Sequence, residues 1–272
     1  IWDDRTDTLV FVDSIRGQIL RLSVEGSILS RTEVGQIIGA AIPRETDGFV
    51  VSSGQGVLAV TEQTGRVDLL CPIEADAPDN RMNDAKCDAQ GRLWSGTFAQ
   101  DLSPNQGALY RVDPDMTLTR ALAPVHVSNG LGWSPNNRLM YFVDTLKHRI
   151  DVFDFDIIGG TLSNRRTLTS FQRGEGVPDG LTVDAEGGVW VALFYGGQVR
   201  RFSPAGELIG VIHLPVSRVT SCNFGGSELD ELYITTADYR IHEDGRPHEP
   251  EAGFVFRCRP SVKGQPSYRF KG

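Results

Sequence analysis

The sequence lacks the patterns typical of membrane-spanning or nucleic-acid-binding chains. Its apolar runs are only a handful of residues long, far below the roughly 20 residues that a bilayer-spanning helix needs. Lys and Arg do not cluster, and 27 of them against 35 Asp and Glu leave a net charge of −8. Nucleic acids are bound through clustered basic side chains, because phosphates carry the opposite charge. We therefore expect neither a membrane nor a nucleic acid among the partners, and oligomeric state is left open.

Motifs for thiol and serine chemistry are also missing. The four cysteines, Cys71, Cys87, Cys222 and Cys258, are scattered without a C-x-x-C pair, which excludes zinc-finger and thioredoxin patterns. We interpret them as buried small apolar residues, and this indicates a cytoplasmic location. A G-x-S-x-G segment is absent as well, so a serine esterase is disfavoured.

Six copies of one pattern fill the chain, although helix-type apolar periodicity is scarce. Each copy has a turn, a strand rich in β-branched and aromatic residues, a short polar break and a second strand. The interval between copies runs from 40 to 50 residues, which is the blade length of a β-propeller. The sequence therefore predicts an all-β, six-bladed β-propeller with a central channel, as a single domain over residues 1–272. The copies begin at Thr8, Gly48, Arg92, Arg138, Gly188 and Glu231.

Polar residues occupy one shared position in three neighbouring copies. Nine residues before the start of the third, fourth and fifth copies lie Asn83, Asn129 and Asp179. The same rule gives Gly39 in the second copy and Cys222 in the sixth. Because the register is shared, these positions are expected at one end of the channel, near the start of each innermost strand.

Oxygen-bearing side chains that converge in a channel mouth suit a hard divalent cation. The glycines after Asn129 and Asp179 would let the backbones approach closely. Asn-Gly and Asp-Gly are also common turn formers. Here, however, the dipeptides precede an inner strand and do not join two strands of a hairpin, which favours a shared site.

These same segments resemble the family of regucalcin (senescence marker protein), gluconolactonase and luciferin-regenerating enzyme. The resemblance runs over essentially the whole chain and is specific only in combination. It is carried by Arg81-Met82-Asn83-Asp84, Gly91-Arg92-Leu93-Trp94-Ser95-Gly96-Thr97, Ser128-Asn129-Gly130-Leu131-Gly132-Trp133, Pro178-Asp179-Gly180-Leu181 and Ser221-Cys222-Asn223-Phe224-Gly225-Gly226.

The resemblance implies a metal-dependent hydrolase that opens a small lactone, of the sugar-acid (gluconolactone) type. It implies Asn129 and Asp179 as ligands of one divalent ion, and Arg81 and Asn83 as substrate contacts. Asp179 would also be the general base, unless a water already ionised by the metal takes that role. We expect calcium first, with zinc, manganese and magnesium as alternatives.

One ligand of that family is not in the sequence. The third protein ligand is a Glu in a Glu-Gly-Pro-x-Trp segment, and here Ile1-Trp2-Asp3 matches the end of that segment. We expect this Glu three residues upstream of Ile1, together with the N-terminal strand of the first blade and the outer strand that closes the ring. The alternative is that the protein has lost this ligand.

Two other functions stay open at this stage. A phosphotriesterase-like hydrolase would use the same polarising metal in an open channel. A non-catalytic divalent-metal-binding propeller is the alternative outside enzymes, since propellers support both roles. His242 and His248, in a polar segment of the sixth copy, are expected in a surface loop near the channel mouth.

Overall fold

A computed structural model of the chain describes residues 1–238 and 249–272. The all-β, six-bladed propeller is confirmed: 23 strands form six antiparallel sheets, each a meander of strands consecutive in the chain. His242 and His248 lie outside the described residues. The first blade, expected to lack its N-terminal strand, has four strands, of which β1 is only two residues long.

The strands are numbered in chain order and grouped by blade. Blade 1 contains β1 (Trp2–Asp3), β2 (Thr8–Asp13), β3 (Gln18–Leu22) and β4 (Ile28–Glu33). Blade 2 contains β5 (Ile38–Pro43), β6 (Phe49–Ser53), β7 (Gly56–Val60) and β8 (Val67–Pro72). Blade 3 contains β9 (Asn80–Cys87), β10 (Leu93–Ala99), β11 (Gly107–Val112) and β12 (Leu118–Val125).

The second half of the chain repeats this arrangement. Blade 4 contains β13 (Ser128–Trp133), β14 (Leu139–Asp144), β15 (Arg149–Asp156) and β16 (Thr161–Ser170). Blade 5 contains β17 (Val177–Val183), β18 (Val189–Phe194), β19 (Gln198–Phe202) and β20 (Leu208–His213). Blade 6 has, within the described ranges, β21 (Val219–Gly225), β22 (Glu231–Thr236) and β23 (Val255–Cys258). A single 3-10 turn, Thr145–Lys147, is the only helical element in these ranges.

The first strand of each blade faces the channel, and these inner strands pack side by side as a ring. Blades 6 and 1 close it: the ring of Trp2 stacks on that of Tyr233 with centroids 5.8 Å apart. Arg257 Nη1 adds a hydrogen bond of 2.6 Å to the carbonyl of Val24. Within residues 1–238 and 249–272 no backbone ladder joins these two sheets, so the described contacts that close the ring involve side chains.

The hydrophobic core lies between adjacent sheets. Apolar side chains of one blade pack against those of the next, and Met82 of blade 3 shares such a cluster with Ile42 of blade 2. Aromatic pairs recur at these contacts. Trp94 meets Trp133 between blades 3 and 4 with centroids 6.2 Å apart, and Trp190 meets Phe224 between blades 5 and 6 at 5.8 Å. Such edge contacts are favourable beyond the area that they bury.

The last residues of the chain cross the end of the channel where the inner strands finish. Gln265 Nε2 donates to the carbonyls of Trp133 at 3.0 Å and Val183 at 3.1 Å, at the ends of β13 and β17. The Phe270 amide donates to Pro43, at the end of β5, over 3.1 Å. The segment therefore covers the face opposite the predicted site, and we call it the C-terminal strap (residues 259–272).

Within the described part of the chain, no helix is long and apolar enough to cross a membrane.

Close packing of the inner strands depends on glycine at Gly130 of β13. A Cβ atom there would lie 2.3 Å from the Leu181 amide nitrogen and 2.7 Å from the Asp179 carbonyl oxygen, both backbone atoms of β17. At Gly54, in the turn after β6, a Cβ atom would meet nothing within 4 Å.

We predict that Gly130→Ala lowers the free energy of unfolding by about 1–3 kcal/mol, because two backbones must separate to admit one methyl group. Gly54→Ala is the matched control and should change it by less than about 0.5 kcal/mol. Urea denaturation of both variants measures the difference. Equal stability of the two variants would contradict this account of the ring.

Candidate metal and substrate site

A β-bulge occupies the same place in the inner strands of blades 3, 4 and 5. In β9, Met82 pairs with Thr97 and Ala85 with Ser95, so two residues, Asn83 and Asp84, oppose Gly96 alone. The same irregularity in β13 and β17 contains Asn129-Gly130 and Asp179-Gly180. A bulge kinks the strand and redirects the side chains within it. The register predicted from the sequence therefore corresponds to a structural feature.

The inner strands of the second and sixth blades also contain a bulge. Only in the second blade does it lie nine residues before the start of the copy, as the sequence predicted. In β5 the extra residue is Gly39, as predicted. In β21 the irregularity lies between Val219 and Ser221, so Thr220 occupies the bulge. Cys222 lies two residues further on and packs in the hydrophobic core between blades 5 and 6. The sixth copy does not keep the spacing of the others, so assigning Cys222 to the ring was wrong.

In β9 the bulge changes the alternation of side chains. Arg81 before the bulge, Asn83 and Asp84 within it and Lys86 after it are all part-exposed, whereas Met82, Ala85 and Cys87 pack in the core between blades 2 and 3. One strand thereby presents four polar side chains to the channel. Two of them, Asp84 and Lys86, were not predicted as site residues. The sequence feature that could have indicated Asp84 is its position next to Asn83, since two adjacent polar residues occur there in a strand that otherwise alternates.

Asn129 and Asp179 are direct neighbours at the channel mouth. Asn129 is buried, and its side chain lies close enough to Asp179 to lower the pKa of that carboxyl. Its Nδ2 also donates to the hydroxyl of Thr145 over 3.0 Å, and that hydroxyl donates to the carbonyl of Pro178 over 2.8 Å. The two predicted metal ligands, from blades 4 and 5, are therefore brought together.

The other two predicted residues lie on blade 3. Asn83 Nδ2 donates to the carbonyl of Ser128 over 2.8 Å. Ser128 immediately precedes Asn129 in β13, so this bond places Asn83 beside Asn129. The guanidinium of Arg81 lies over the ring of Phe98, 4.5 Å from its centroid, in a cation–π contact. Arg81 is the second residue of β9 and lies two residues before Asn83, on the mouth side of the bulge.

Two carboxyl groups lie in the channel, those of Asp84 and Asp179, and only Asp84 has a cation close to it. Burial raises the pKa of Asp179 well above its usual range, the nearby carboxylate of Asp84 raises it further, and the hydrogen bonds from Asn129 and Gly180 act in the opposite direction. Burial also raises the pKa of Asp84, while the ammonium of Lys86 lowers it. Lys86 thus offsets Asp84. Among the described residues no cation forms an ion pair with Asp179.

Lys86 reaches across the channel. Burial lowers the pKa of Lys86, and the charge of Asp84 opposes that shift. Its Nζ donates to the carbonyl of Leu181 over 2.9 Å, so a side chain of blade 3 is bound to the inner strand of blade 5. The contact lies two residues beyond Asp179 and supports the strand that carries it.

The donor set suits a divalent cation with hard oxygen ligands. Asp179 supplies a carboxylate without a counter-ion, and Asn129 supplies an amide oxygen beside it. No three His, Cys, Asp or Glu residues in the described ranges lie close enough together to hold a metal. The Glu expected upstream of Ile1 stays a prediction.

Comparisons with known proteins converge on one family. Residues 1–238 match the family described as SMP-30/Gluconolactonase/LRE-like region. Regucalcin of Danio rerio is 35% identical over 276 residues, which covers 100% of this chain and 93% of that protein. The structure of a luciferin-regenerating enzyme is similar, with a TM-score of 0.92, 31% identity and coverage of 99% of this chain and 93% of the other. A gluconolactonase of Xanthomonas campestris gives a TM-score of 0.73 and 25% identity, over 86% of this chain and 80% of that one.

Stability without metal should depend on pH through Asp179. A carboxyl group whose pKa is raised on folding holds its proton in the folded state at pH values where the unfolded chain has released it. Stability therefore falls as pH rises from about 4, the ordinary pKa of Asp, through the folded pKa.

We predict that Asp179→Asn in the presence of chelator unfolds at higher urea concentration than the wild type at pH 8. The difference should narrow as the pH is lowered toward 5, because the wild-type carboxyl then regains its proton. Urea denaturation across this pH range tests it. A difference that is constant with pH would show that the carboxylate charge is not the cause.

Proposed function

Because this chain belongs to the SMP-30/gluconolactonase/LRE-like family, we propose that it is a metal-dependent hydrolase that opens a small lactone of the sugar-acid type. The observation that carries the proposal is the pair formed by Asn129 and Asp179, in which a carboxylate without a counter-ion lies beside an amide at the channel mouth. Calcium is the proposed ion, because both donors are oxygen atoms. Magnesium, manganese and zinc are the alternatives.

Asn129 and Asp179 would hold the ion. A divalent cation bound there supplies a Lewis acid that polarises the lactone carbonyl. The proton transfers of the reaction would be carried out by side chains of the protein. Asp179 accepts a proton from the water whose oxygen attacks the carbonyl carbon. Collapse of the tetrahedral adduct breaks the ring C–O bond, and the leaving oxygen takes up the proton. The product is a hydroxy acid.

Arg81 and Asn83 would orient the substrate. The guanidinium of Arg81 offers several donors in one plane, which suits a carbonyl or a pair of hydroxyls. The Phe98 ring beneath it fixes that plane. Asn83 uses its Nδ2 on Ser128, which leaves Oδ1 to accept a hydrogen bond from a substrate hydroxyl. A ligand rich in hydroxyl groups therefore matches this side of the mouth.

The cytoplasmic location stays a prediction from the unpaired cysteines, of which Cys71, Cys87 and Cys222 are buried and Cys258 is half-buried. A small-molecule substrate, with no nucleic acid or membrane partner, is proposed on the acidic composition.

The first experiment is hydrolysis of a panel of sugar-acid lactones with chelator, followed by addition of calcium, magnesium, manganese or zinc. We expect chelator to abolish turnover and one ion to restore it. Asp179→Ala should lose both calcium binding and turnover, since it removes a ligand and the base together. Asp115→Ala, an exposed carboxylate in the turn after β11, is the control and should retain both.

Turnover in Asp179→Ala with metal still bound would contradict the role of Asp179. Tight metal binding without hydrolysis of any lactone would favour the phosphotriesterase-like or the non-catalytic alternative, and a panel of phosphotriesters then separates the two.

We predict that Arg81→Met lowers kcat/KM for the preferred lactone by about 10-fold or more, since a hydrogen bond to a charged donor contributes roughly 1.5–3 kcal/mol. The Kd for calcium should not change. Arg16→Met is the matched control, because Arg16 is an exposed arginine in the turn after β2, which also faces the mouth. Equal kinetics for the two variants would remove Arg81 from the substrate site.

A further inference from the structure

The hydroxyl oxygen of Thr145 hydrogen-bonds to Asn129 and to the peptide that precedes Asp179, and so connects the segments that carry the two predicted metal ligands. It follows β14 as the first residue of the 3-10 turn, and it is 7% exposed. Its Oγ1 accepts a hydrogen bond from Asn129 Nδ2 at 3.0 Å and donates one to the Pro178 carbonyl at 2.8 Å. Pro178 immediately precedes Asp179. We propose that Thr145 is the positioning residue of this site, which orients Asn129 and fixes its distance from Asp179. The inference rests on the proposed metal dependence.

The hydroxyl decides which way the Asn129 amide faces. A threonine hydroxyl has one proton, and the Pro178 carbonyl can only accept it. Oγ1 must therefore act as acceptor toward Asn129, and the amide has to present its NH2 group. Nδ2 is then used on Thr145, and the Asn129 side chain also lowers the pKa of the neighbouring Asp179. Asn129 Oδ1 accepts no hydrogen bond from any described residue and remains the atom available for a cation.

The same hydroxyl connects two strands that share no backbone ladder. Asn129 lies on β13 and Asp179 on β17, and these strands belong to different sheets. Their separation is set by packing and by side-chain contacts. The bond from Thr145 to the peptide before Asp179 acts at the level of the ligands. Lys86 on Leu181 and Gln265 on Val183 act further down the channel.

Thr145 is itself held in place without any ligand. Its amide donates to the carbonyl of Val127 over 3.0 Å, and its carbonyl accepts from the His148 amide over 3.0 Å. The fully buried carboxylate of Asp144 accepts from the amides of His126 and Val127, both at 3.1 Å, and pairs with Lys147 at 3.0 Å. The turn is therefore rigidly attached to the start of β13, and the hydroxyl is preorganised.

The test is the calcium affinity of Thr145→Val and Thr145→Ser, measured by titration calorimetry on the full chain, with thermal unfolding in chelator measured in parallel. Valine keeps the shape and removes the hydroxyl, so the Kd for calcium should rise about 10–100-fold, the usual effect of losing a group that orients a metal ligand. Serine restores the hydroxyl and should return the Kd to within about 3-fold of wild type.

Thr97→Val separates a positioning role from a structural one. Thr97 is buried in β10, and its hydroxyl donates to Glu74 over 2.9 Å and accepts from the Ala108 amide over 2.9 Å. Thr97→Val should unfold at lower temperature in chelator while its calcium Kd stays that of the wild type. If Thr145→Val does not fold, the smaller Thr145→Ala takes its place in the same comparison.

Three results are decisive. A Kd for Thr145→Val equal to wild type, in a wild type that binds calcium, overturns the role of Thr145 and leaves the proposed function standing. A Kd raised equally in Thr97→Val and Thr145→Val also overturns it, because the effect would then follow from stability. Absence of calcium binding by the wild type overturns the proposed calcium dependence and this inference with it.

Discussion

The geometry of the channel depends on one constraint: in the part of the chain that the structure describes, the inner strands of neighbouring blades belong to separate sheets with no backbone ladder between them. Within a sheet, the ladder fixes register and spacing. Between sheets, the chain relies on close backbone approach at Gly130 and on side chains that cross the gap, such as Thr145, Lys86 and Asn83. In a site assembled from several blades, the distances between residues of different blades depend on these contacts. They concentrate around Asn129 and Asp179, which is where precise placement of ligands would be required.

The charges of the site follow from the same bulges. Because two residues share one position in β9, Asp84 and Lys86 join Arg81 and Asn83 on the channel side. The ammonium of Lys86 offsets Asp84, and Asp179 is left as the carboxylate whose charge is not balanced by the protein. A buried carboxylate in that condition is costly to the metal-free fold. Such a cost is commonly found at functional positions and is relieved when a cation binds.

Much of the fold and half of the site could be predicted from the sequence. The repeat interval predicted six blades, because each blade buries its apolar residues against its neighbours and so keeps the same pattern. Asn83, Asn129 and Asp179 could be placed together, because their spacing to the next strand is constant. The spacing rule was wrong at Cys222, since a bulge can move by two residues without changing the strand pattern around it. Thr145 and Lys86 escaped notice because their roles come from partners in other blades, Pro178 and Leu181, which lie far away along the chain.

The C-terminal strap lies across the end of the channel that is opposite Asn129 and Asp179. It binds the ends of β5, β13 and β17, and Gln265 donates to the last residues of β13 and β17. A molecule that reaches Asp179 must leave by the mouth through which it entered, so reactant and product pass the same rim in opposite directions. A polymer that passed through the channel from end to end would have to displace the strap.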